Sequence, residues 1–162
     1  VARHRRDPIC PSPRGLVTHV RIDPLGVTGR TRSQSVGRHW RRTSPGLFVP
    51  TDDSSVVEQR VLEVAARLPG QGAVTGWAAC RLHRATFFDG LARDGRTELP
   101  VPVAVGRKGR VRDRDGRMLV RLHDVPDHER ATRLDIPTVT AVRATDDAMR
   151  LSSSREPSSR ST

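Results

Sequence analysis

The sequence predicts an α+β protein: a small mixed domain with a wing-like strand-turn, two central helices, a β-hairpin region and a C-terminal helix, between disordered termini. Three observations predict it. Val57, Val61, Val64 and Leu68 recur at helical spacing. Val101, Val103 and Val105, then Met118, Val120 and Leu122, alternate at the period of a strand. Prolines and serines crowd the two ends, which therefore have little to bury.

The elements follow in order. Pro8, Pro11, Pro13 and Pro24 break any helical period, and Arg3, Arg5 and Arg6 repel one another, so residues 1–27 read as a disordered basic segment. Trp40, Arg41 and Arg42 lead into Thr43-Ser44-Pro45-Gly46, a turn, and Leu47-Phe48-Val49 reads as a short buried strand ended by Pro50. A helix is expected over 55–68. Ser55 and Glu58 stand at capping-box spacing, Glu58, Arg60, Glu63 and Arg67 lie mostly off the apolar face, and Pro69-Gly70 stops it. Ala73-Val74 is a short extended piece, and Thr75 is placed to cap a second helix over 76–84. Asp89-Gly90 and Asp94-Gly95 are turns. Pro102 puts the strand at 101–105 at an edge or irregular position. Asp115-Gly116 between 110–114 and 117–122 signals a hairpin. Leu134, Ile136 and Val139 suggest a further strand broken by Pro137, and Thr140 is placed to cap a last helix over 141–150. The expected organisation is one domain over 28–150 and a disordered Ser/Arg tail over 151–162.

Of 162 residues, 29 are basic and 18 acidic, a formal charge of +11, and Lys108 is the one lysine. Arginine in place of lysine fits a GC-rich genome as well as it fits a phosphate partner. The distribution is more informative. Residues 1–50 hold ten arginines against Asp7 and Asp23, a net +8, and the remaining residues balance to a net +3. A local basic segment argues for an acidic partner better than a diffuse one. No apolar run approaches the roughly 18 residues of a membrane span, and no apolar stretch follows the basic N-terminus as in a secretory signal. A cytoplasmic protein without a membrane partner is expected. Cys10 and Cys80 cannot supply a disulfide scaffold or a four-thiolate zinc site.

Little catalytic chemistry is legible. His123 and His128 stand near Asp124, Asp127 and Glu129, but HExxH spacing and a neighbouring cysteine are missing, and a polar loop explains the group more simply. Cys80, following Trp77 on an apolar helix, reads as a buried thiol rather than a nucleophile. Gly106-Arg107-Lys108-Gly109 lacks the serine or threonine of a phosphate loop. Arg107, Lys108, Arg110, Arg112 and Arg114 read as a solvated turn before a phosphate-binding patch. No cofactor or metal is expected.

Several motifs in order carry a resemblance. They are Arg38-His39-Trp40-Arg41-Arg42-Thr43-Ser44-Pro45-Gly46-Leu47-Phe48-Val49-Pro50, Gly72-Ala73-Val74-Thr75-Gly76-Trp77-Ala78-Ala79, Leu99-Pro100-Val101-Pro102-Val103, and Ile136-Pro137-Thr138-Val139-Thr140 followed by Arg143-Ala144 and Asp147. Over about residues 26–150 the chain resembles the actinobacterial AbiEi-like antitoxins of type IV toxin–antitoxin systems. Longer members join such a region to a domain like the very-short-patch-repair endonucleases. The resemblance implies a winged-helix transcription regulator in which the Trp-Arg-Arg segment forms the wing. Arg30, Arg32, Arg38, Trp40, Arg41 and Arg42 are the candidate nucleic-acid-binding residues, touching phosphates without reading bases. The chain departs from the pattern at Arg84, where relatives often carry glycine, and at Asp146, in a place usually apolar. No helix is recognisable over 1–37 to precede the wing. Lys108 has Gly106 two places before it, so the Glu-x-Lys segment of the nuclease is missing, and the chain looks like a truncated or frame-disrupted relative.

The expected function is a non-enzymatic DNA-binding regulator or antitoxin-like protein. The alternatives are an interaction module docking a cognate toxin or nuclease-like partner, and a truncated non-functional relative of an endonuclease-domain protein.

Overall fold

The computed structural model describes residues 20–21, 40–50 and 56–153. The chain divides into two compact units, Val1–Arg67 and Leu68–Thr162. Helices and strands mix in both, so the α+β class holds.

In the first unit, β1 (Val20–Arg21), β3 (Leu47–Pro50) and β2 (Trp40–Ser44) form an antiparallel sheet in that order. Val20–Arg21 thus pair with Phe48 and Leu47, although the sequence reads as irregular there. Prolines interrupt a helical period but do not prevent two extended residues from joining an existing strand edge. Pro45-Gly46 closes the β2–β3 hairpin as expected. Gly46 takes φ +76°, a left-handed value that costs glycine nothing, and the Thr43 hydroxyl donates to the Leu47 carbonyl at 3.2 Å. Leu47, Phe48 and Val49 are buried.

Helix α1 (Val57–Ala65) follows. Val61 and Val64 are fully buried, each stabilising by about 1.5–3 kcal/mol. Val56 occupies the N-cap with no side-chain cap, and Ser55 of the expected capping box lies outside the described residues. Burial is not confined to the valine face: Gln59, Arg60 and Glu63 are buried as well.

In the second unit a mixed five-stranded sheet runs β6 (Met118–Arg121), β5 (Val101–Ala104), β4 (Ala73–Val74), β8 (Ile136–Val139), β7 (Arg130–Arg133). Helix α2 (Gly76–Leu82) packs on α3 (Ala141–Ser153). Ala78, Ala79 and Ala144 have no exposed surface, and such small side chains let helices approach closely. Val74, Val101, Val103, Val105, Ile136 and Val139 form the core of this unit.

Three strand expectations are corrected. Asp115-Gly116 does not turn a hairpin. β6 pairs in parallel with β5 through Val101↔Met118 to Ala104↔Arg121, and 105–117 is the crossover that parallel pairing requires. Pro102 stands in an interior strand. It lies opposite Thr75, where β4 has ended, so its missing N–H breaks little of the ladder, and its carbonyl accepts the Thr75 N–H at 3.0 Å. Leu134 belongs to no strand. With Asp135 it turns β7 into β8, at φ +50° and +58°. Arg130–Arg133 forms a strand without apolar alternation to announce it, and Pro137 lies within β8. Helix α3 runs on through Ser153, three residues past Arg150. The Thr140 carbonyl accepts the Ala144 N–H at 2.8 Å at its start.

Candidate functional site

Two places gather charge, one in each unit. Of the residues expected to meet nucleic acid, Arg30, Arg32 and Arg38 lie outside the described residues, and for Trp40 only the backbone is described. Arg41 and Arg42 stand on β2 and point to opposite faces, as successive strand residues must. Arg41 reaches Glu63 of α1 with both terminal nitrogens, Nη1 to Oε2 at 3.2 Å and Nη2 to Oε1. The Gln59 amide donates to the same Oε1 at 3.3 Å. Glu63 is 2% exposed, and a forked arginine contact of this kind satisfies both oxygens of a buried carboxylate. Arg42 is exposed, its Nε near the Ser44 carbonyl at 3.4 Å. The pair therefore divides the work: Arg41 fastens the hairpin to the helix, and Arg42 faces solvent.

In the second unit a cleft of about 330 Å³ opens between β6 and α3. Asp147, on the inner side of α3, is its hub. Its Oδ2 accepts from the Thr75 hydroxyl at 2.5 Å and its Oδ1 from Arg143 Nε at 3.0 Å. Arg143 Nη1 donates to Glu129 Oε2 at 2.6 Å. Burial opposes the Arg143 charge, but the hydrogen bonds and charges of Asp147 and Glu129 outweigh it and raise its pKa above the ordinary arginine value.

Arg121 and His123 lie two residues apart on β6 and its extension, so both project from one face into the cleft. His123 Nε2 is 3.8 Å from Asp147 Oδ2, beyond hydrogen-bond reach, and is buried without a hydrogen-bond partner. Arg150 lines the rim and pairs with Asp146 at 3.0 Å on the exposed side of α3. Arg121 pairs with no acid among the described residues.

The other expected groups stand apart. His128 lies in a short 3-10 turn (Asp127–Glu129) and is exposed. Asp124 holds Arg107 through its backbone N–H at 3.0 Å and its guanidinium at 3.6 Å. Among the described residues no three His, Cys, Asp or Glu side chains converge as metal ligands. Cys80 is buried, as expected. Thr75 occupies the N-cap of α2, but its hydroxyl goes to Asp147 instead of the helix. Among the described residues no helix is long and apolar enough to cross a membrane. No family model, curated protein or solved structure matches the chain.

Proposed function

We propose that the chain is a non-catalytic, cytoplasmic DNA-binding regulator of the AbiEi-like antitoxin kind, whose β2–β3 hairpin acts as a wing on the phosphate backbone. The observation that carries this reading is the fastening of the hairpin to α1 through Arg41 and Glu63, with Arg42 left exposed on the other face. A wing must be held at a fixed angle to its helix and must keep at least one cation free for phosphate. The net +8 of residues 1–50 supplies the surrounding field. Contact of this kind positions a protein on DNA and carries no base sequence.

Gel-shift titrations across salt concentration test the reading. Affinity should fall as salt rises, with a slope of about −0.9 per phosphate neutralised. Arg42→Ala should lower that slope by about one, while the combined replacement of Arg38, Arg41 and Arg42 by alanine should abolish binding. Absence of binding at low salt, or unchanged binding by the triple variant, rejects the proposal.

One observation favours a second reading, a module that docks a protein partner such as a cognate toxin. Val142 and Met149, two turns apart on α3, are 84% and 61% exposed. Stoichiometric capture of a partner in the absence of nucleic acid, lost on Val142→Asp, supports that reading.

A further inference from the structure

From the cleft of the second unit we infer that it is a site for the phosphate group of a small phosphorylated molecule. Three features point there. The first is an unbalanced donor. Arg121 projects into the cleft from β6 with no acid beside it among the described residues, while Arg143 is held by Asp147 and Glu129. Guanidinium groups offer phosphate a planar fork of N–H donors, and an arginine at a cleft wall has an open fork only when no carboxylate already fills it.

The second feature is a fixed frame. Thr75 from the end of β4, Glu129 and Asp147 orient Arg143, so the cleft wall is set before any ligand arrives. Arg150 adds a cation at the rim. Its bond to Asp146 is exposed on both sides and is worth little, so that bond does not bar a phosphate oxygen. The third feature is His123, whose buried Nε2 makes no hydrogen bond and stands 3.8 Å from Asp147 Oδ2. A buried nitrogen in that state is unfavourable until a hydrogen-bond partner reaches it. A small turn of the ring toward the cleft offers it a phosphate oxygen.

The volume, about 330 Å³, is at the lower end of ligand clefts. It suits inorganic phosphate or a compact phosphate ester. The same chemistry is also carried by a nucleic-acid backbone, and the test separates the two sources. The site uses residues of the second unit alone, so it stands or falls independently of the hairpin.

The full-length chain is titrated with inorganic phosphate, with a nucleoside 5′-monophosphate and with a short DNA duplex, at constant ionic strength set with chloride. Backbone amide shifts and thermal unfolding are recorded. Saturable binding of phosphate and of the monophosphate in the millimolar range or tighter is expected, with the largest shifts at Arg121, His123 and Arg150. Arg121→Ala should weaken it at least fivefold, Arg121→Lys should restore part of it, and Arg133→Ala, an exposed arginine outside the cleft, should leave it unchanged. Displacement of bound phosphate by the duplex assigns the group to nucleic acid, which overturns the small-molecule source. Absence of saturable binding, or equal affinity in wild type and Arg121→Ala with the fold intact by amide spectrum, overturns the site itself.

Discussion

The hydroxyl of Thr75 donates to the carboxylate of Asp147 at 2.5 Å, joining the end of β4 to the middle of α3 across 72 residues of chain. Both groups are buried, and the same carboxylate accepts from Arg143. Removing it leaves a hydroxyl and a guanidinium nitrogen unsatisfied, which costs more than the bonds themselves contribute. Asp147→Ala is expected to lower stability by about 2–4 kcal/mol and Thr75→Val by about 1–2 kcal/mol. Because the two share one bond, the double variant should cost less than the sum. Urea unfolding of the four proteins, followed by tryptophan fluorescence, gives the cycle. Strict additivity would show that the bond is not made in solution.

The contact between Arg41 and Glu63 has a comparable role in the first unit. Glu63→Gln keeps the shape and removes the charge, and is expected to cost about 1.5–3 kcal/mol, the range of a hydrogen bond to a charged group. Its effect should concentrate in the hairpin. Hydrogen exchange at the amides of β2 and β3 should speed up more than at β5 in the second unit. Since Glu63 is buried, raising the salt concentration should weaken the contact far less than it would a surface pair. Uniform acceleration across both units would contradict the assignment.

What could be read from the sequence was what is local. The β2–β3 hairpin has its turn residues, Pro45-Gly46, beside its apolar strand, and α1 has valines at helical spacing. The β7–β8 hairpin was illegible because Leu134 and Asp135 take left-handed backbone conformations without the glycine or asparagine that announces them. Asp115-Gly116 carried that signal and sits in a crossover, since the partner of β6 is β5, whose pairing depends on residues 17 positions away. Burial of Glu63 could not be foreseen, because its partner Arg41 is 22 residues upstream. For the cleft, the only local sign was Arg143 four residues before Asp147 on one helix face. Thr75, Arg121 and Glu129 reach the same place through the sheet, and no spacing records that.

Cys80 should be unreactive in the folded protein. Burial pushes its thiol above the ordinary value, and a hydrogen bond with Thr145 offsets only part of the shift. Only the thiolate attacks an alkylating agent, so brief iodoacetamide treatment at pH 8 should leave Cys80 unmodified and denaturant should expose it. The sign for stability follows. The unfolded chain releases the thiol proton first, so this residue contributes nothing below about pH 8 and opposes folding as pH rises beyond about 8.5. Peptide mapping by mass spectrometry separates Cys80 from Cys10. Equal labelling of Cys80 with and without denaturant would refute its burial.

Asp94 should titrate at unusually low pH. The Thr97 hydroxyl, followed by the backbone N–H groups of Arg96 and Thr97, donates to its carboxylate and lowers its pKa from the ordinary 3.8 to about 2. A depressed carboxylate stabilises the folded state above its unfolded value, and that contribution is lost as pH falls from about 4 toward about 2. The turn at 94–97 should therefore persist at pH 3.5, where ordinary carboxylates are largely protonated. A carboxyl titration by NMR measures the midpoint directly. In Asp94→Ala the amides of Arg96 and Thr97 should exchange faster at neutral pH, and a wild-type midpoint near 4 would contradict the geometry.

Arg84 occupies a position built for glycine. Helix α2 ends at Leu82 with His83 as its C-cap, and the next two amides turn back into it. Arg84 N–H donates to the Arg81 carbonyl at 2.9 Å, and Ala85 N–H to the Cys80 carbonyl at 3.0 Å. That pair of bonds requires the residue after the cap to be left-handed, and Arg84 takes φ +71°. A side chain there costs roughly 1–2 kcal/mol in steric strain, from which glycine's greater freedom in the unfolded chain must be subtracted. Arg84 is exposed, so its side chain contributes little burial to set against the strain. Arg84→Gly is therefore expected to stabilise the protein by about 0.5–1 kcal/mol, and Arg84→Val, whose branch worsens the clash, to destabilise it by a similar amount. Thermal and urea unfolding of the two variants beside the wild type read the difference. If Arg84→Gly is no more stable than Arg84→Val, the helix does not end in this turn.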